Sequence, residues 1–292
     1  MWTWLGLTSP ITTATNPTNG CGVSQSGESD SSAVGSGTIP ALYRGAAEPF
    51  VSAVEAGRPL RPQHWGLADV LISIALSLIV PSIVVGLELA AGAPKNGTLV
   101  ILSSLITPWV GFGLWPWQCA RTRGNGIRID LGWSFTRDDL GWGIIGAVAA
   151  LGLGSAVAAI TEHFAGPFDS AAGDAISSAQ VPRAVVFLFG VLAVVGAPLM
   201  EELCFRGLTF ASFARFSEQR GWPPIPVATI ASAALFAAVH LEPIRFPLLF
   251  TIGLVLSYLR ARTGRVGASV LAHSLNNLVP VIGLLTGTVW LG

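Results

Sequence analysis

From Trp65 onward the chain alternates long apolar runs with short polar breaks. Each run is close to the roughly 20 residues that a helix needs to cross the hydrocarbon of a bilayer at about 1.5 Å rise per residue. The pattern predicts spanning helices over 66–91, 98–118, 141–160, 183–203, 226–241 and 244–260. The last run, 266–291, holds Gly, His, Asn and Pro280, a mixture that predicts two short segments rather than one regular span. Residues 1–60 have a different texture. Between Thr8 and Ile39 they are dense in Ser, Thr, Gly, Asn and Pro and show no period, which predicts a disordered N-terminal region. The expected fold is therefore all-α, a polytopic transmembrane helical bundle of about 7–8 membrane helices over residues 61–292.

Composition supports the membrane class. Hydrophobic residues make up 51% of the chain and charged residues 11%, with a mean hydropathy of +0.63, well away from soluble proteins. Acidic and basic residues balance at 16 each, so no global charge invites nucleic acid or another polyanion. Cys21, Cys119 and Cys204 are far apart and form no CxxC, which predicts neither a disulfide framework nor a thiolate metal site. The placement of the charges says more than their sum. Arg44, Arg58 and Arg61 precede the first span; Arg121, Arg123, Arg128 and Arg137 follow the second; Arg206, Arg215 and Arg220 follow the fourth; Arg260, Arg262 and Arg265 follow the sixth. Only Lys95, Arg183 and Arg245 fall in the other loops. Lys and Arg are retained on the cytoplasmic side, so this distribution predicts a multi-pass protein of the cell membrane with a cytoplasmic N-terminus.

Ionisable groups within membrane helices are costly, so each is a candidate for function. Three places qualify. In Met200-Glu201-Glu202-Leu203-Cys204-Phe205-Arg206, Glu202 and Arg206 are four apart on one helix face and can pair, while Glu201 is turned about 100° away and left free. A carboxylate without a compensating cation in a poorly solvated place suits a general base. Phe236 and His240 again stand four apart, an aromatic ring placed to hold an imidazole. His273 and Asn277 share a face and offer two neighbouring donors, the arrangement that a developing oxyanion requires.

Each place also has a plain structural reading: a helix-end ion pair for Glu202 and Arg206, an interhelical hydrogen bond for His240, a structural amide for Asn277. Their combination weighs against it, because the only Glu pair in the chain and the only two His residues after position 163 all fall in three apolar segments. Elsewhere, His64 and His163 lie in flanking loops, Asp69 and Glu88 in the first span read as interfacial or paired, and Gly124-Asn125-Gly126 reads as a turn. Residues 127–142 alternate charges with Leu, Trp and Phe, as expected of a stretch lying on the membrane surface.

These residues stand as EExxxR (Glu201, Glu202, Arg206), FxxxH (Phe236, His240) and HxxxN (His273, Asn277), in that order and without a substitution. In this the sequence resembles the CPBP family, the CAAX-prenyl-protease and bacteriocin-processing (Abi) proteases related to the Ras-converting CAAX endopeptidase, over a core of residues 180–280. The resemblance implies an intramembrane endopeptidase in which Glu201 and His240 activate water, Glu202 and Arg206 support the site, and His273 and Asn277 stabilise the oxyanion. It implies either a zinc ion, with Glu201, His240 and His273 as candidate ligands, or no metal; the lack of HExxH leans towards no metal. The implied partners are a peptide or membrane-protein substrate, lipidated or not, and the bilayer. Two other readings compete: an immunity or binding protein on the same scaffold with idle chemistry, and a transporter, for which no internal repeat is visible.

One geometric tension remains. Positive-inside topology puts Glu201 near the cytoplasmic end of its helix but His240 about 20 Å into the next one. The apolar continuation LCFRGLTFASFARF predicts that the fourth helix runs on through Arg206 towards Arg215, which sets the Glu pair deeper.

Overall fold

The computed structural model describes residues 41–168, 170–177 and 181–286. Among them every regular element is helical. We number the helices α1 (Glu48–Glu55), α2 (Leu67–Ala90), α3 (Thr98–Arg123), α4 (Ile127–Asp130), α5 (Asp138–Ala165), α6 (Ala171–Ser177), α7 (Arg183–Gln219), α8 (Pro224–Ala238), α9 (Phe246–Thr263) and α10 (Gly267–Thr286). Helices α2, α3, α5, α7 and α10 are long and apolar enough to cross a membrane, and α8 is a shorter apolar helix. With α9 this gives seven bundle helices. Their outer faces expose Leu71, Ile79, Ile83, Leu87, Ile145, Val148, Leu153 and Phe187, side chains that water would not tolerate as a continuous belt but lipid does.

Helix α7 is the axis of the bundle. It is 37 residues long and continues through Arg206 to Gln219, as the apolar stretch after Glu202 predicts. At roughly 1.5 Å rise, Glu202 then lies about 25 Å from the end of α7 and His240 about 24 Å from the start of α8. The two levels match, and the tension in depth disappears. Helix α7 is also not uniform: π-turns interrupt it at Leu192–Gly196 and Leu203–Thr209, and α3 carries another at Val110–Leu114. Such turns widen the helix by one residue and re-aim the side chains beyond them.

Glycines let the helices approach closely where no side chain would fit. A Cβ on Gly111 would lie 2.2 Å from the Ser73 carbonyl oxygen of α2, and one on Gly253 would lie 2.9 Å from the Ala233 Cα of α8. Contacts of this kind replace the hydrophobic driving force that lipid removes.

The arginine-bearing loops meet at one end of the bundle. Asp69 forms an ion pair with Arg123, and Gln63 donates to the Asp130 Oδ1 at 2.7 Å. Arg215 donates to the Gln63 Oε1 at 2.8 Å and to the Trp65 carbonyl, and its guanidinium lies 4.5 Å over the Trp65 ring. Arg265 bonds Asp139 at 3.2 Å.

Four expectations change. Residues 41–60 belong to the bundle: α1 buries Phe50 and Ala53, and the Glu48 amide donates to the Gly264 carbonyl at 2.9 Å. The remainder of the predicted disordered region lies outside the described residues. Residues 127–142 do not simply lie on a surface, since Asp130, Leu131 and Asp139 are buried and Leu131 packs beneath Leu203 and Leu208 of α7. The run 266–291 is one helix as far as Thr286, with Pro280 inside it. Helix α8 ends at Ala238, so His240 sits in the following turn, whose backbone remains right-handed at Val239 and thereby keeps Phe236 and His240 on one face.

The packing at Gly253 gives a direct prediction. Gly253→Val should lower the thermal stability of the detergent-solubilised protein by about 1–3 kcal/mol. Gly152→Ala, at a position where a Cβ meets nothing within 4 Å, should stay within about 0.5 kcal/mol of the parent. Thermal unfolding of the two variants side by side makes the comparison.

Candidate active site

The centre of the site is a buried ion pair. Arg206 Nη1 donates to Glu202 Oε1 at 2.7 Å, and neither side chain has any exposed surface. The i,i+4 spacing on α7 brings them together as the sequence predicts. Arg206 Nη2 donates to the Gly253 carbonyl of α9 at 3.1 Å. The Arg206 guanidinium lies 4.7 Å over the ring of Phe236. A guanidinium on an aromatic face in a desolvated place is held by the ring quadrupole as well as by its carboxylate.

Glu202 Oε1 has a second partner. His273 Nδ1 lies 2.9 Å from it, across from α10. An ionised carboxylate only accepts, so this contact places the proton on Nδ1 and turns Nε2 outward. Nε2 faces Glu201, whose Oε2 is 3.8 Å away, buried, and without a hydrogen-bond partner in the protein. The sequence expectation that Glu202 is engaged and Glu201 is free thus describes the geometry. What the sequence does not reveal is that the carboxylate–imidazole contact at Glu201 is with His273.

His240 is fixed differently. Its Nδ1 lies 2.7 Å from the Phe236 carbonyl oxygen, which again assigns the proton to Nδ1 and leaves Nε2 with a lone pair. Its ring packs edge-on against Phe236 with centroids 4.9 Å apart, and the His273 ring does the same from another side at 5.5 Å. Both histidines, and the arginine of the ion pair, therefore rest on one phenyl ring. Behind it, Phe236 meets Phe205 and Phe205 meets Phe112, each at 5.4 Å. The residue after His240, Leu241, has a left-handed backbone with φ 56°, which turns the chain sharply out of the site. Leucine adopts this conformation at a cost of order 1–3 kcal/mol, and such strain gathers where geometry is over-determined.

Asn277 differs from its expectation as a free oxyanion donor. Its Nδ2 donates to the Ala193 carbonyl at 3.0 Å, within the first π-turn of α7. The amide ties α10 to α7 in this structure. Sequence reasoning missed that partner, along with Phe205, Phe112 and the Gly253 carbonyl. The side chains of Phe205 and Phe112 looked like ordinary lipid-soluble residues, and no sequence pattern marks a backbone carbonyl as an acceptor.

A resident metal needs several donors aimed at one point. Among the described residues no three His, Cys, Asp or Glu side chains come close enough to share an ion. Glu201, His240 and His273, the candidate ligands, are thus not gathered around one point in this structure.

Breaking the ion pair should be expensive. Glu202→Gln leaves Arg206 charged and unpaired, a loss of roughly 3–5 kcal/mol, whereas the double change Glu202→Gln with Arg206→Met removes both charges and should recover much of it. Thermal unfolding of the two variants measures the difference.

A family model described as type II CAAX prenyl endopeptidase Rce1-like matches residues 183–279, from the start of α7 into α10. No curated protein and no solved structure matches the chain.

Proposed function

We propose, from the CAAX-endopeptidase family model that matches residues 183–279, that the chain is an intramembrane endopeptidase whose water is activated by Glu201 with His240. The observation that carries this reading is the state of Glu201. It carries a buried carboxylate oxygen that neither an arginine nor a backbone amide satisfies, with the His273 imidazole 3.8 Å away. Enclosed by the bundle, a charge there acts in a medium of low dielectric, where it is worth far more than in water.

Protons can be followed through the site. Water gives a proton to the Glu201 carboxylate as its oxygen attacks the scissile carbonyl carbon. The lone pair on His240 Nε2 accepts a hydrogen bond from the same water and aligns it. As the tetrahedral intermediate collapses, Glu201 returns the proton to the leaving amine and is regenerated as a carboxylate. His273 Nε2 can donate to the oxyanion only when the ring is an imidazolium, and in that form Glu202 at 2.9 Å and Glu201 at 3.8 Å are its counter-charges. Glu202 and Arg206 hold His273 in register, and Asn277 holds α10 against α7; in this reading they orient rather than react. The chemistry runs on these side chains, and no step is routed through a metal.

The Arg-rich end of the bundle is, in this reading, the cytoplasmic one, and it places the N-terminus of the chain on that side. The substrate is a peptide segment or membrane protein, lipidated or not, that enters the bundle from the bilayer. The idle-scaffold reading predicts that the site residues are dispensable, and the two readings part on one variant. Glu201→Gln keeps the shape of the side chain and removes the base, so cleavage of candidate prenylated or membrane peptides by the purified protein should fall by roughly 10²–10⁴, with an unchanged unfolding temperature. Equal turnover by the variant and the parent would refute Glu201 as the base.

A further inference from the structure

Three arginines at the arginine-rich end of the bundle rest on aromatic rings and lack a counter-charge. Arg121, near the end of α3, stands 4.9 Å over the Trp117 ring, and Arg262, near the end of α9, stands 5.0 Å over the Trp142 ring of α5. Arg220, just past α7, stands 4.7 Å over the Phe216 ring, which in turn meets Trp222 edge-on with centroids 5.9 Å apart. All three arginines are exposed. Among the described residues none of the three enters an ion pair or a side-chain hydrogen bond, whereas Arg123, Arg215 and Arg265 of the same end are engaged by Asp69, Gln63 and Asp139. A ring covers one face of each guanidinium and leaves its edge of N–H donors open. In that orientation arginine takes a phosphate through two parallel hydrogen bonds.

The rings also mark a depth. Three residues further into the bundle from Trp117, Trp142 and Trp222 stand Leu114, Ile145 and Ile225, exposed aliphatic side chains that belong against hydrocarbon. Tryptophan at such a border sits at the level of the lipid headgroups, and the arginines beside these rings lie at that level too. The charge there is one-sided. Arg44, Arg58, Arg61, Arg128 and Arg137 are exposed at the same end and, with the three stacked arginines, outnumber its exposed acids, Glu48, Glu55, Asp138 and Glu218. At the other end Lys95 and Arg183 are exposed without a ring beneath them, and Arg245 is paired with Glu242. A zwitterionic headgroup carries a cation that offsets its phosphate, so an excess of unpaired guanidinium selects headgroups of net negative charge.

We propose that Arg121, Arg220 and Arg262, each backed by its aromatic ring, form a binding surface for the phosphate groups of anionic phospholipids in the adjoining leaflet. Each guanidinium holds one headgroup against the end of a helix, which fixes the bundle's depth in the bilayer. This surface is independent of the proteolytic reading, since it neither contains nor requires Glu201.

The test uses the full-length protein in dodecyl maltoside micelles. Added dioleoyl phosphatidylglycerol should raise its unfolding temperature by several degrees more than dioleoyl phosphatidylcholine does, and inorganic phosphate at equal concentration should not. The triple variant Arg121→Gln, Arg220→Gln, Arg262→Gln should lose that difference, whereas Lys95→Gln with Arg183→Gln, which removes positive charge from the other end, should keep it. Native mass spectrometry of the unaltered protein from micelles holding both lipids in equal amounts should show phosphatidylglycerol retained in preference, a readout that does not depend on how the variants fold. Equal retention of the two lipids, a rise produced equally by inorganic phosphate, or a phosphatidylglycerol effect that persists in the triple variant overturns the proposal.

Discussion

An ion pair with no exposed surface in the middle of a membrane-spanning helix is the constraint around which this protein is arranged. Two charges removed from water are costly and call for partners in most of their hydrogen-bonding directions, although here Glu202 Oε2 and Arg206 Nε are left without one. The bundle supplies those partners from different helices: the Gly253 carbonyl from α9, the Phe236 ring from α8 and the His273 imidazole from α10. Each partner also shapes the proposed site. Gly253, whose carbonyl takes Arg206, lets α8 and α9 approach closely, the ring beneath the guanidinium packs against both histidines, and the imidazole bonded to Glu202 presents its other nitrogen to Glu201. In the proposed mechanism stability and reactivity are two aspects of one set of contacts, so the residues of the pair cannot be altered for one without the other.

The π-turns explain how three helices of ordinary apolar sequence converge on that pair. Arg206 lies within the Leu203–Thr209 turn, and its main-chain carbonyl is taken by Arg260 from outside the helix. The Ala193 carbonyl in Leu192–Gly196 is likewise taken by Asn277. In both cases a backbone oxygen of α7 becomes an attachment point for a neighbouring helix. A regular α-helix would have kept those oxygens for itself, and in lipid no water would have offered a substitute.

Much of this was legible in the chain, and what was not has identifiable causes. Helix periodicity placed Glu202 with Arg206 and Phe236 with His240 because a spacing of four residues has one meaning on a helix. The same logic set Glu201 apart. It did not foresee the partner of Asn277, a backbone carbonyl within the π-turn Leu192–Gly196, since helix periodicity says nothing of which carbonyls a neighbouring helix will take. It failed for α1, whose eight residues are too short to register against a polar stretch and which is stabilised by docking rather than by its own propensity. It failed for Pro280, read as a break although neighbouring helices sustain proline inside membrane helices. The side chains that carry charge announced themselves; the backbone did not.

The docking of α1 bears on the order in which the molecule is built. The Glu48 amide is bonded to the carbonyl of Gly264, in the turn between α9 and α10, and Ala47 packs against Gly132, between α4 and α5. Gly264 lies more than 200 positions later in the chain. During synthesis the first helix can therefore meet Ile129 and Gly132 early, but the Gly264 half of its seat forms only after α9 is made. Its docking is completed only at the end of assembly, and a chain stalled before α9 would hold α1 without the backbone bond that ties it to the far end of the sequence.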